Sequence, residues 1–353
     1  MLDVAQFAKD QTVAFGAGIR NEIATHAERA GAERVLVVTT PHQADLGQAL
    51  ADALGPRAVG LSATAAMHTP VDISEAAAEE LRRLQADSVL AAGGGSTVGL
   101  GKALALRTSV QQIVLPTTYA GSECTPILGQ TEDGVKTTMK DPRLLPGTVL
   151  YDPELVATLP VAMTVTSALN AMAHAVEALY AQDRSPESDQ LAMLGLEAFR
   201  QALPAVMADP SDLAAREATQ RGAWACGTVL GRVGMALHHK LCHTLGGSFD
   251  LPHAETHAII LPHAMAYNAA AVPDLLAPVA ALFEGADAAQ AVWSFARDLG
   301  APSALKDLGV TETDLDHAAD IATRNAYWNP REITREGLRA LLDRAWRGAA
   351  PAA

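Results

Sequence analysis

The sequence predicts an α/β N-terminal domain built on a doubly wound, mostly parallel sheet, followed by an all-α C-terminal domain. Three observations predict it. Short β-branched runs alternate with amphipathic helices through the first part of the chain, a glycine-rich turn joins one such run to a helix, and beyond Tyr151-Asp152-Pro153 the strand signals give way to Ala-rich helical periodicity. The expected domains are therefore residues 1–155, an α/β domain of the nucleotide-binding type, and 156–353, an all-helical domain.

Val35-Leu36-Val37-Val38-Thr39-Thr40 is a β-branched run bounded by polar residues, and Ser88-Val89-Leu90-Ala91-Ala92 and Gln112-Ile113-Val114-Leu115 resemble it. Between them, Asp72 to Ala86 reads as a helix with Ile73, Ala76, Ala77, Leu81 and Leu84 on one side and Glu75, Glu79, Glu80, Arg82 and Arg83 on the other. Strand, helix and strand in that order imply a parallel sheet covered on both faces. Helical stretches follow at 186–207, 211–245, 254–270, 286–299, 312–325 and 334–347, and the small-residue tail from Gly348 is expected to fray.

A chain of 353 residues exceeds one typical core and suggests about two domains. With 49% hydrophobic and 19% charged residues it is globular. The net charge of -14 opposes binding to nucleic acid or to an anionic membrane, so an anionic substrate must be met by local cations. Cys124, Cys226 and Cys242 are widely spaced and form no CxxC pair, which points to a reducing cytoplasm and away from disulfides or a zinc ribbon. The start Met1-Leu2-Asp3-Val4-Ala5 lacks a signal pattern, and no apolar run approaches ~18 residues, so neither export nor a membrane span is expected.

Gly93-Gly94-Gly95-Ser96 follows a strand and opens a helix, a place where backbone amides and the helix dipole hold a pyrophosphate; the alternative is a tight turn that simply needs glycine. Thr117, Thr118 and Ser122 lie in the loop after the third strand run, at the carboxyl edge where open α/β sheets bind ligands. Thr39 ends a strand where a dinucleotide fold often keeps an acid for the ribose, so discrimination against a 2'-phosphate should be weak. Lys136 joins these as a cofactor candidate, and Lys140, Tyr119 and Arg324 are candidates for substrate.

Asn170 and His174 stand four residues apart, as do His239 and His243, so each pair shares one helix face; His253 follows the turn Gly246 to Pro252. A lone histidine is most often structural, but these five residues together form a candidate site. It looks like a metal site lacking one anion, because a hard divalent ion wants a carboxylate among its ligands and Asn170 is neutral. His238, His257 and His263 fall outside the pairs and are assigned to structure or surface.

Taken together, Gly93-Gly94-Gly95-Ser96, Pro116-Thr117-Thr118, Tyr151-Asp152-Pro153, Asn170 to Glu177, His239-Lys240-Leu241-Cys242-His243 and Leu251-Pro252-His253 resemble the iron-containing, or group III, alcohol dehydrogenase superfamily from about Phe15 to Trp346. The resemblance implies a dinucleotide-binding domain, a helical domain and an active site in the cleft between them. It puts the metal ligands of the metal-dependent members at 170, 174, 239 and 253, with His243 beside the substrate. Within the superfamily the chain is most similar to the maleylacetate reductase branch, whose features match Asn170, the short Pro116–Glu123 loop, Met67-His68-Thr69-Pro70 and Trp328-Asn329-Pro330-Arg331. That branch implies reduction of the carbon-carbon double bond of maleylacetate, a dicarboxylate, to 3-oxoadipate in bacterial degradation of aromatic compounds. It also implies NADH or NADPH as cofactor, no essential metal and a homodimer. On this reading His243 leads as proton donor, with His174, His239, His253 and Asn170 shaping the pocket. A metal-dependent alcohol or aldehyde reductase, a lyase like dehydroquinate synthase and a non-catalytic nucleotide-binding paralogue are the alternatives.

Overall fold

Side chains of the apolar strand runs divide by parity between two cores, as a period of two requires. Leu36, Val38, Val89, Ala91 and Val114 join one cluster with Leu81, Val98 and Leu104, while Val35, Val37, Leu90, Ala92 and Ile113 join another with Ile23, Leu50 and Leu54. A sheet buried on both faces is the result. The computed structural model describes residues 4–324 and 327–352, with Lys136 described through its backbone only.

The strands are β1 (Thr12–Phe15), β2 (Val35–Val38), β3 (Ala58–Ser62), β4 (Ser88–Gly93), β5 (Gln111–Pro116), β6 (Ile127–Glu132), β7 (Val135–Lys140) and β8 (Thr148–Tyr151). Six of them form one sheet in the order β1-β8-β5-β4-β2-β3 with every pairing parallel. The expected doubly wound sheet is present, and the direction of winding reverses between β4 and β2. β6 and β7 pair antiparallel as a hairpin around Asp133-Gly134, both at positive φ, a turn signal that the sequence carries although the hairpin is not among its expected elements.

The helix expected over 72–86 is Val71–Arg83, and it buries Ser74, Ala77, Ala78 and Leu81. Ala76, expected on the apolar side, is exposed. The two faces of an Ala-rich helix differ little in hydrophobicity, so packing on the sheet sets the rotation.

The chain divides into two units, Met1–Leu159 with Ser211–Gln220, and Pro160–Pro210 with Arg221–Ala353. The short return segment joins the first unit because Arg216 donates to the Leu159 carbonyl at 3.2 Å and Gln220 to the Asp152 carbonyl at 3.1 Å. The second unit is helical. Val161–Leu179 is buried at every position from Thr164 to Leu179, which is why its sequence is apolar all round. The single stretch expected over 211–245 is two helices, Leu213–Arg232 and Leu237–Phe249, because a buried carboxylate takes the amides at the break. His253–Ala269, Ala288–Asp298, Asp314–Ala322 and Arg335–Arg347 match expected stretches, and Pro273–Leu282 is an additional helix. Among the described residues no helix is long and apolar enough to cross a membrane.

Candidate active site

In the first unit, Gly94-Gly95-Ser96 and Thr39-Thr40 follow β4 and β2, the two strands that flank the reversal, where open parallel sheets bind ligands. Gly94 caps the Gly95–Thr108 helix in an extended conformation, so the first amides of that helix open toward the sheet edge. The glycines are not interchangeable. A Cβ on Gly93 would fall 2.2 Å from Thr97 Oγ1 and one on Gly94 2.9 Å from Thr118 Cγ2, whereas one on Gly95 would meet nothing within 4 Å. The turn is therefore tight beneath and open above, a cradle that fits a dinucleotide phosphate.

Of the hydroxyls proposed for the cofactor, Thr118 is half-buried against this turn, and Thr117 is buried with its Oγ1 accepting from Gln43 Nε2 at 3.0 Å. The carbonyl of Ser122 accepts from Lys102 Nζ at 2.6 Å. Lys102 is wholly buried, also donates to Thr125 Oγ1 and the Ile127 carbonyl, and is pushed down by desolvation to about 7. It fastens the loop to the helix behind it.

Two assignments need correction. Thr39 is fully buried, packed where a Cβ on Gly47 would touch its side chain, so it lines the core beneath a helix and offers nothing to a ribose. Tyr119 is likewise fully buried, with its hydroxyl accepting from Arg216 at 3.3 Å, and is a core residue of the first unit. The Lys136 side chain lies outside the described residues. Lys140 on β7 and Arg324 after the Asp314–Ala322 helix are exposed.

In the second unit, three helices present polar pairs at i and i+4, one of asparagine with histidine and two of histidines. Val161–Leu179 carries Asn170 and His174, Leu237–Phe249 carries His239 and His243, and His253–Ala269 carries His253 and His257. Their rings form one cluster: His174 to His239 is 5.1 Å between centroids, His239 to His243 6.2 Å, His239 to His257 5.2 Å and His253 to His257 4.2 Å. Asn170 Oδ1, His174 Nδ1, His239 Nε2 and His257 Nε2 are buried with no hydrogen-bond partner among the described residues, an arrangement that calls for a bound polar group. His243 and His253 are exposed.

Glu177, one turn beyond His174, is the anion that organises this cluster. Its Oε2 accepts from His239 Nδ1 at 2.7 Å and from the Ala236 amide at 3.0 Å, and its Oε1 accepts from the His238 amide at 2.7 Å. The carboxylate caps the Leu237–Phe249 helix and holds His239 with Nε2 turned away from it. Burial, reinforced by the neighbouring rings, drives His174, His238 and His257 well below the usual imidazole range, so all three stay neutral.

The resemblance drawn from the sequence would put the ligands of the metal-dependent members at positions 170, 174, 239 and 253. Here those positions offer an amide and imidazoles, and the nearby Glu177 oxygens are engaged by backbone amides and His239. A neutral set fits a hard dication poorly.

Glu177, His238 and His257 are the site residues that spacing missed. His257 repeats the i,i+4 signal with His253, so it was available; Glu177 was not, because its partners lie 59 to 62 residues away. His263, assigned to structure or surface, is buried and pushed down to about 4 chiefly by desolvation.

A family model described as "Iron-containing alcohol dehydrogenase" matches residues 10–153, and one described as "Fe-containing alcohol dehydrogenase family, C-terminal" matches residues 164–346. The maleylacetate reductase of Rhizobium sp. strain MTP-10005 is 57% identical over 96% of both chains. The crystal structure of maleylacetate reductase from Agrobacterium tumefaciens superposes with a TM-score of 0.95 at 56% identity, covering 98% of both chains. A sulfoacetaldehyde reductase from Bifidobacterium kashiwanohense, solved in complex with NAD+, is 25% identical with a TM-score of 0.86, covering 96% of this chain and 97% of its own. Matched over both units, the chain belongs to the iron-containing alcohol dehydrogenase family.

Proposed function

We propose that this protein reduces the carbon-carbon double bond of maleylacetate to 3-oxoadipate with NADH or NADPH, without an essential metal, in bacterial breakdown of aromatic compounds. The observation that carries the reading is the cluster of Asn170, His174, His239, His253 and His257, which has an amide at position 170 where a dication would want a carboxylate. The full-length likeness to proteins named maleylacetate reductase supports the substrate. The absence of an acid at the half-buried Thr40, just past the end of β2, supports use of either cofactor. The proposal includes a homodimeric, cytoplasmic enzyme.

The open turn at Gly95 seats the cofactor phosphates, and the nicotinamide supplies hydride to the β-carbon of the enone. Charge then moves to the ketone oxygen as an enolate, which needs hydrogen-bond donors. Asn170 supplies an amide, and His243 delivers the proton that completes the saturated product. His243 is exposed, so solvent can restore its proton. His174 and His257, held neutral, shape the pocket without acting as acids. The exposed Lys140 and Arg324 are cations of the kind the two substrate carboxylates need.

The test mixes purified protein with NADH and maleylacetate in the presence of a chelator and follows cofactor absorbance. Turnover is expected. Activity only on alcohols or aldehydes, and only with stoichiometric iron or zinc, would replace this reading with a metal-dependent dehydrogenase.

A further inference from the structure

At the edge of the cluster, His238, Cys242 and His257 bring three ligand atoms within 4.8 Å of one another, with His257 shared between this trio and the pocket above. His238 and Cys242 are one turn apart on Leu237–Phe249, and His257 comes from His253–Ala269. His238 Nε2 lies 3.0 Å from His257 Nδ1 and 3.6 Å from Cys242 Sγ. A tetrahedral zinc ion spaces two imidazole nitrogens about 3.3 Å apart and a nitrogen and a thiolate sulfur about 3.6 Å apart, so a small ring adjustment would admit one. All three residues are almost wholly buried.

We propose that His238, Cys242 and His257 bind one borderline or soft dication, Zn2+ or Co2+, at a site distinct from the Asn170, His174, His239 and His253 positions. The charge balance favours this trio. Position 170 gives its own set an uncharged amide, whereas Cys242 offers a thiol that a bound metal converts to a thiolate; burial and the nearby Glu177 push that thiol up, so its proton leaves only as the metal enters. Thiolate also selects zinc, cobalt and cuprous copper over magnesium or calcium. Binding replaces the S–H bond of Cys242 with an S–metal bond and releases one proton to solvent, with no change of oxidation state. Three protein ligands leave the fourth tetrahedral position to a water molecule or a small anion.

Cobalt reports the difference between the two sites. Chelator-treated full-length protein titrated with Co2+ should develop a thiolate-to-cobalt charge-transfer band in the near ultraviolet, saturating at one equivalent and bleached by Zn2+. Cys242→Ser should abolish the band, His257→Gln should weaken Co2+ binding by more than about tenfold, and Asn170→Ala should leave both band and stoichiometry unchanged. Circular dichroism establishes that each variant is folded, and His257→Gln decides the matter should Cys242→Ser not fold. Absence of the band in the unaltered protein, its persistence without Cys242, undiminished binding by His257→Gln, or its loss in folded Asn170→Ala would overturn the proposal. None of these readings depends on maleylacetate turnover.

Discussion

Glu177 Oε2 stands 2.7 Å from His239 Nδ1, across 62 residues of sequence, and both side chains are buried. Through this contact one carboxylate fixes the start of a helix and the orientation of the imidazole at the centre of the cluster. Glu177→Gln keeps the shape but replaces an anion accepting backbone amides with a group that must turn an NH2 toward one of them. It is expected to cost about 2 kcal/mol in urea unfolding and to lower kcat between about 10- and 100-fold. Unchanged kcat in a folded variant would remove Glu177 from the positioning role.

His243→Ala should slow hydride transfer from NADH to maleylacetate by about a hundredfold or more in single-turnover measurements, with NADH affinity preserved. An unchanged rate excludes His243 as donor and directs attention to His253, the other exposed ring of the cluster.

Asn170→Asp restores the anion that a dication needs. Fe2+ and Zn2+ should bind at least about tenfold more tightly. The purified variant should carry metal, and its reduction of maleylacetate should become sensitive to chelator. Elemental analysis and turnover with and without chelator check both; equal metal content in the two proteins would show that charge at position 170 does not govern occupancy.

Gly95→Ala separates folding from cofactor binding. Its Cβ meets nothing within 4 Å, so the melting temperature should hold or rise slightly. A methyl group over the phosphate cradle should nevertheless raise KM for NADH by about tenfold or more. An unaltered KM would mean the cofactor does not approach this turn.

Acid should destabilise the fold steeply. Burial lowers His263 from its ordinary 6.5 to about 4 and pushes His174, His238 and His257 the same way. Between those values the unfolded chain takes up protons that the folded chain refuses, so stability falls as pH drops from about 6.5 toward 4. His263 alone accounts for at most about 3 kcal/mol of this. A melting-temperature series from neutral to acid should be flatter for His263→Phe than for the unaltered protein; parallel curves would assign the acid sensitivity elsewhere.

The local periods of the chain were enough to determine much of this. The unbroken apolar runs at Val35–Val38 and Ser88–Gly93 dictate strands buried on both faces, and the four-residue spacing of Asn170 with His174 and of His239 with His243 dictates shared helix faces. These are properties of residues a few positions apart, and sequence displays them directly. Tertiary structure alone decided that the His253 pair joins the others through His257, that Glu177 ends one expected helix and begins another, and that Thr39 and Tyr119 are core rather than ligand contacts. Each of those outcomes depends on which distant segments exclude water from a side chain, and no spacing along the chain carries that information.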